Sequence, residues 1–213
     1  MRLEEYLLKH GVKCKETADY LIKNRLVKIN GNVVTYAPLP IDECDVVEVI
    51  VKEYMDAPPT FWKMKEIDES TELIKRGDFI LDIESPDGGF PLYAARRKAN
   101  VTLVTIRDDL NFLKKDNIEI KKWNAVKGDP KKIFSSKFDT VMIELGMDFL
   151  KSMQLLERLR DFIGSRGKLV IFLQSRGRDN VKEMAEKMLP RYKLHPIEFF
   201  EGRKGFYSYS KVV

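Results

Sequence analysis

Residues 80–90 read ILDIESPDGGF. The run ILDI has the length and branching of a buried strand, Asp82 lies near its end, and Ser85-Pro86-Asp87 leads into the pair Gly88-Gly89. In an open α/β sheet, ligands bind beyond the carboxyl ends of the strands, and a glycine-containing turn lets a ligand come close to the backbone. The stretch lacks GxGxxG, so a dinucleotide site is the weaker reading.

The flanking sequence extends the same pattern. From Phe61 onward the strand candidates FILDI, VTLVTI, IEIKKW, DTVMIEL and KLVIFLQ alternate with the helical stretches GGFPLYAARRK, MDFLKSMQLLERLRDFI and RDNVKEMAEKML. Such alternation predicts an α/β domain whose parallel sheet is covered on both faces. The last segment, GFYSYSKVV after the turn EGRKG, is expected at the sheet edge.

Upstream the elements change type quickly. LEEYLL and KETADYLIKN have helical spacing, and LVKING, NVVTY and DVVEVIV are β-rich. Asn30-Gly31-Asn32 between two β-branched runs signals a hairpin, because Asn-Gly tolerates the positive φ angles of a tight turn. This is a small α+β module over residues 1–53. The paired prolines of YMDAPPT place a linker at 54–60, with the larger domain over 61–213.

Composition narrows the class. The 213 residues are 44% hydrophobic, enough for a real core. MRLEEYLLKHGVKC interrupts its apolar residues with charges, so it reads as neither secretory signal nor membrane span, and the expected location is cytoplasmic. Cys14 and Cys44 form no CxxC pair, and His10 and His195 stand far apart, so neither a disulfide framework nor a metal site is expected. The net charge is +5. Residues 1–55 carry 8 Lys+Arg against 9 Asp+Glu, yet six cations fall between Lys9 and Lys28 against Glu16 and Asp19. Positive charge in the module is therefore local.

The N-terminal stretch resembles the RNA-binding domain first described in ribosomal small-subunit protein S-four, over essentially that domain's whole length. The resemblance is carried by Arg2-Leu3-Glu4, Leu7, Gly11, Cys14-Lys15, Ile22, Val27-Lys28-Ile29-Asn30-Gly31 and Cys44-Asp45. It implies a structured RNA partner, ribosomal in kind, with Arg2, Lys13, Lys15, Lys23 and Lys28 on the phosphates; such contacts orient and bind without choosing sequence. Lys15 stands where the pattern has arginine and lacks that residue's planar fork.

From Phe61 the chain resembles the FtsJ family of RNA ribose 2′-O-methyltransferases, and the two parts together resemble the haemolysin-A-like (TlyA) ribosomal RNA methyltransferases. FWKMKEID (61–68) is similar to the family's entry helix, LDIESPDGGF to its cofactor loop, VKGD (126–129) to its adenine-contacting segment and FDTVMIELG (138–146) to the strand that ends on a catalytic acid. The implied fold is a Rossmann-like S-adenosylmethionine methyltransferase sheet. The implied cofactor is S-adenosylmethionine, held by Asp82, Gly88, Gly89, Asp108 and Asp129, with Lys63 and Glu144 as catalytic residues.

The family's chemistry uses Lys, Asp, Lys and Glu to handle a ribose hydroxyl proton. In this chain Lys63 matches the first, Glu144 replaces the second, Phe172 stands at the third beside Gln174, and Phe206 and Tyr207 stand at the fourth. Another register would bring Lys168 or Arg176 into the site. Glu84 replaces a loop glycine, adding a side chain and a charge. Two functions remain open: an RNA methyltransferase, or an RNA- or ribosome-binding module whose methyltransferase-like domain does not catalyse.

Overall fold

The computed structural model describes residues 1–114, 117–146, 149–174, 180–202 and 205–213. Arg176, the first two residues of MDFLKSM and the centre of EGRKG lie outside them. Two compact units, Met1–Lys65 and Glu66–Val213, make up the chain.

In the first unit, helices α1 (Leu3–Lys9) and α2 (Lys15–Lys23) accompany a sheet of order β2-β1-β3, with β1 at Val27–Ile29, β2 at Asn32–Val33 and β3 at Val47–Val49. Both pairings are antiparallel. Leu3 and Leu7 of α1 and Ala18, Leu21 and Ile22 of α2 recur at helical spacing, so each helix turns one face onto Val12, Val27 and Ile41. The expected hairpin is present: Asn30 and Gly31 have φ of 49° and 79°. Asn30 also donates from Nδ2 to Asp45 Oδ1 (2.7 Å) and accepts from the Val46 N–H (2.9 Å), tying the turn to the approach of β3.

Residues 54–60 do not form an open linker. A 3-10 turn covers Lys52–Tyr54, and Pro59 opens α3 (Pro59–Thr71), where a missing N–H leaves nothing unpaired. The division between units falls inside α3, because the helix's first half packs with the N-terminal module. Trp62 donates from Nε1 to Thr17 Oγ1 (2.8 Å) and stacks on Tyr20 at 3.8 Å.

The second unit holds one seven-stranded sheet of order β6-β5-β4-β7-β8-β10-β9. Its strands are β4 (Phe79–Ile83), β5 (Asn100–Thr105), β6 (Ile118–Lys122), β7 (Phe138–Ile143), β8 (Ile163–Gln174), β9 (Leu194–Gly202) and β10 (Gly205–Val212). Helices α4 (Gly89–Arg96), α5 (Phe149–Leu159) and α6 (Val181–Met188) lie between them in the chain. The pairings from β6 through β8 are parallel, and β10 runs antiparallel to both its neighbours. Leu81, Ile83, Val141, Ile143, Leu169 and Ile171 share a core with Met153 and Leu156 of α5 and Val181 and Ala185 of α6.

The last segment is not the edge. Strand β10 is interior, with Ser208, Tyr209 and Ser210 buried, and β9 forms the edge. Pro196, at an irregularity in the β9–β10 register, cannot donate to a ladder and suits an edge strand. The serines of GFYSYSKVV hide an interior strand behind polar side chains.

Candidate functional site

Strand order reverses beside β4: the chain passes outward through β5 and β6, then returns to lay β7 on β4's other side. The crevice beyond the carboxyl ends of β4 and β7 is therefore the place where this architecture receives a ligand. Asp82 lies near the end of β4 and Glu144 directly follows β7, its N–H donating to Ile83 O (3.1 Å).

Both acids are buried, at 1% and 9% exposure, and each keeps one oxygen without a hydrogen-bond partner, Asp82 Oδ2 and Glu144 Oε2. Ser85 Oγ is buried and unpaired as well. Native structures rarely strand such groups; their usual partner is an ordered water, an ion or a ligand. Burial, then the neighbouring Glu144 charge, raises Asp82 well above the usual carboxylate range; the Ser85 N–H on Oδ1 (3.2 Å) opposes this. Burial pushes Glu144 up to about 8, against a hydrogen bond donated by Tyr207 to Oε1. The Tyr207 phenol is itself raised by burial and by Glu144.

Register explains this meeting. Ile143 pairs with Ile171, so Glu144 and Phe172 are the next residues along, and Phe172 pairs with Tyr207. The rings of Phe172 and Tyr207 lie 4.9 Å apart, and Phe90 of α4 lies 5.5 Å from Tyr207. The positions read from sequence as third and fourth in the charged set thus flank Glu144, and they carry rings. Of the pair offered at the fourth, Tyr207 turns to Glu144, whereas Phe206 lies under Lys182 Nζ at 4.4 Å. Lys168 does not enter the site. It pairs with Thr140 near the start of β7, and its Nζ donates to Glu72 O and Leu73 O.

Glu84 departs from the expectation for a lost glycine. Its φ is +59°, the left-handed conformation a glycine would supply, so the turn keeps its path at a strain of roughly 1–2 kcal/mol. The side chain reaches to the end of β5, accepting from Thr105 Oγ1 (2.8 Å) and the Ile106 N–H (3.2 Å). An acid therefore stands at the end of β5, and it comes from the neighbouring strand. Asp108 is exposed and paired with Lys122 Nζ at 2.9 Å. Arg107 clasps the same region, donating to Pro86 O and to Asp109.

Gly88 caps α4 at φ +77°, and a Cβ there would meet Leu113 Cδ1 at 2.4 Å, so chain from beyond β5 already fills that space. The Gly89 N–H donates to Asp87 Oδ1 (2.9 Å). Asp129 is exposed and caps the 3-10 turn Pro130–Lys132 by accepting from the Lys131 N–H (3.0 Å). Lys63 lies in the part of α3 that belongs to the first unit. Of the expected residues, the second unit thus brings Asp82 and Glu144 together, with Gly88 and Gly89 in the adjoining turn. It gives Asp108 and Asp129 partners of their own.

In the first unit, Arg2, Lys13, Lys15 and Lys23 are exposed, and Lys28 is half-buried on β1. Lys15 pairs with Glu4 (3.3 Å) and Lys23 with Asp19 (3.5 Å), which neutralises part of the positive charge. Cys14 is the N-cap residue of α2, and its side chain makes no capping bond. Among the described residues no group of three or more potential ligands is placed to hold a metal ion, and no helix is long and apolar enough to cross a membrane.

No protein-family model matches the sequence, and no curated protein matches it. Solved structures do. A protein of Streptococcus thermophilus assigned as a hemolysin matches all of this chain and 88% of its own, at 16% identity and a TM-score of 0.64. A Plasmodium falciparum protein assigned as a ribosomal RNA methyltransferase matches 73% of this chain and 97% of its own (16% identity, TM-score 0.55). Aeropyrum pernix fibrillarin, solved with natively bound S-adenosyl-L-methionine, matches 65% and 68% (14% identity, TM-score 0.54). The second unit has the Rossmann-like fold of S-adenosylmethionine-dependent methyltransferases.

Proposed function

We propose that this chain is an RNA-binding protein whose C-terminal unit holds S-adenosylmethionine at the carboxyl ends of β4 and β7 and methylates RNA. The observation that carries the reading is the convergence of Asp82 Oδ2, Ser85 Oγ and Glu144 Oε2, buried and unpaired, at the reversal point of a methyltransferase-type sheet. The residues suit the cofactor. A sulfonium and an ammonium group are cationic; their approach favours the ionised carboxylates of Asp82 and Glu144, which burial otherwise holds protonated, beside Asp87. Glu84 stands where a ribose hydroxyl would find an acceptor. When bound, the cofactor supplies an activated methyl group.

RNA binding rests on the likeness of residues 1–53 to the S-four module and on the local cations. Replacing Arg2, Lys13 and Lys28 by alanine together is expected to weaken structured RNA binding and to reduce the slope of log affinity against log salt by about 2–3. An unchanged slope contradicts the reading. The runner-up, a binding module that does not catalyse, is favoured by Phe172 and Tyr207, which put rings where a lysine and a glutamate would handle a ribose proton. Transfer of labelled methyl from the cofactor to RNA separates the two.

A further inference from the structure

Glu144 makes no ion pair or hydrogen bond with a cation among the described residues of its unit; its bond is to Tyr207, on Oε1. Arg107 and Lys122, at the ends of β5 and β6, are engaged elsewhere, Arg107 with Pro86 O and Asp109, and Lys122 with Asp108. Around the carboxylate stand Asp82, Asp87, Phe172 and Tyr207, and Phe90 lies against the Tyr207 ring. A ribose hydroxyl flanked by two phosphates brings negative charge toward these acids, which is unfavourable at low dielectric. An amino group on a nucleobase brings N–H donors and no charge, and a donor is what the buried, unpaired Glu144 Oε2 lacks once the carboxyl is ionised. Aromatic and apolar walls also suit a flat base taken out of its stack.

We propose that the group this site takes from RNA is the exocyclic amino group of a nucleobase, recognised by Glu144 Oε2, while Tyr207 fixes the other oxygen and Phe90 and Phe172 wall the site. The inference rests on the cofactor reading above and narrows its substrate. Glu144 is the recognising residue, and Tyr207 is a positioning residue that acts through it.

The test is a set of nucleoside titrations followed by NMR, above pH 8, where Glu144 is ionised. The protein is first saturated with S-adenosylhomocysteine, so that a nucleoside cannot report the cofactor's own adenine site. Adenosine or cytidine is expected to bind at least ten times more tightly than the riboside lacking the amino group, as suits one hydrogen bond to a charged acceptor. The 2′-deoxy counterparts should bind like the parents. Glu144→Leu, with its fold checked by the amide spectrum, should bind amino and amino-free ribosides alike. Equal affinities in the unaltered protein, dependence on the 2′-hydroxyl instead, or no nucleoside binding each overturns the inference and leaves the cofactor reading standing. Failure of S-adenosylhomocysteine to bind, seen before any nucleoside is added, overturns both.

Discussion

Tyr207, near the start of β10, donates its hydroxyl to Glu144 at the end of β7, although 63 residues separate them in the chain. Strand β8 lies between those two strands in the sheet, and Phe172 on β8 is Tyr207's cross-strand partner. The contact joins the reversal point of the sheet to its antiparallel end.

Removing the hydroxyl leaves Glu144 with both oxygens unpaired. Tyr207→Phe is expected to cost about 1–3 kcal/mol in urea or guanidinium unfolding. It should also move Glu144 further up, because the Tyr207 bond is what opposes the effect of burial. Carboxyl titration followed by NMR checks the second point. An unchanged or lowered Glu144 would show that the hydroxyl does not hold the carboxylate.

Stability should fall with rising pH in the window set by Glu144. Between its ordinary value of 4.5 and about 8 the folded chain keeps a proton that the unfolded chain has released, so unfolding becomes easier as pH rises and levels off above 8 for this group. The raised Asp82 acts in the same direction. Each pH unit in the window removes at most about 1.4 kcal/mol per group. Glu144→Gln should flatten the profile, and parallel profiles for the two proteins would contradict the assignment.

Two glycines with the same backbone conformation separate strain from contact. At Gly31, with φ +79°, an added methyl would have nothing within 4 Å, whereas at Gly88, with φ +77°, it would meet Leu113 Cδ1 at 2.4 Å. Gly31→Ala should cost about 1–2 kcal/mol of strain, and Gly88→Ala about 1–3 kcal/mol more for overpacking. Equal losses would mean that Leu113 yields freely.

Much of the architecture was legible because periodicity reports burial. FILDI, VTLVTI and DTVMIEL are strands within a residue or two of their expected bounds, and Asn30-Gly31 turns as expected. Strand β9 was not legible, since Pro196 and the charged Glu198 and Glu201 mask an edge strand that pairs on one side only. The domain limit was misplaced by reading Pro58-Pro59 as a breaker, when Pro59 starts a helix. Within the site, Asp82 and Glu144 could be read from strand ends, which fix position locally. The Tyr207 contact depends on antiparallel pairing of β10 with β8, and Glu84's reach to β5 depends on a positive φ in a residue that seldom adopts one. Neither has a local signature.

The most direct measurement is calorimetric titration of the purified protein with S-adenosylmethionine, beside Asp82→Asn with its fold verified by thermal unfolding. Saturable binding that weakens at least tenfold in the variant is the predicted result, as expected on losing a buried carboxyl that a cationic ligand ionises and pairs with. Absence of binding by the folded, unaltered protein at millimolar cofactor would contradict it and leave the crevice beyond β4 and β7 without its ligand.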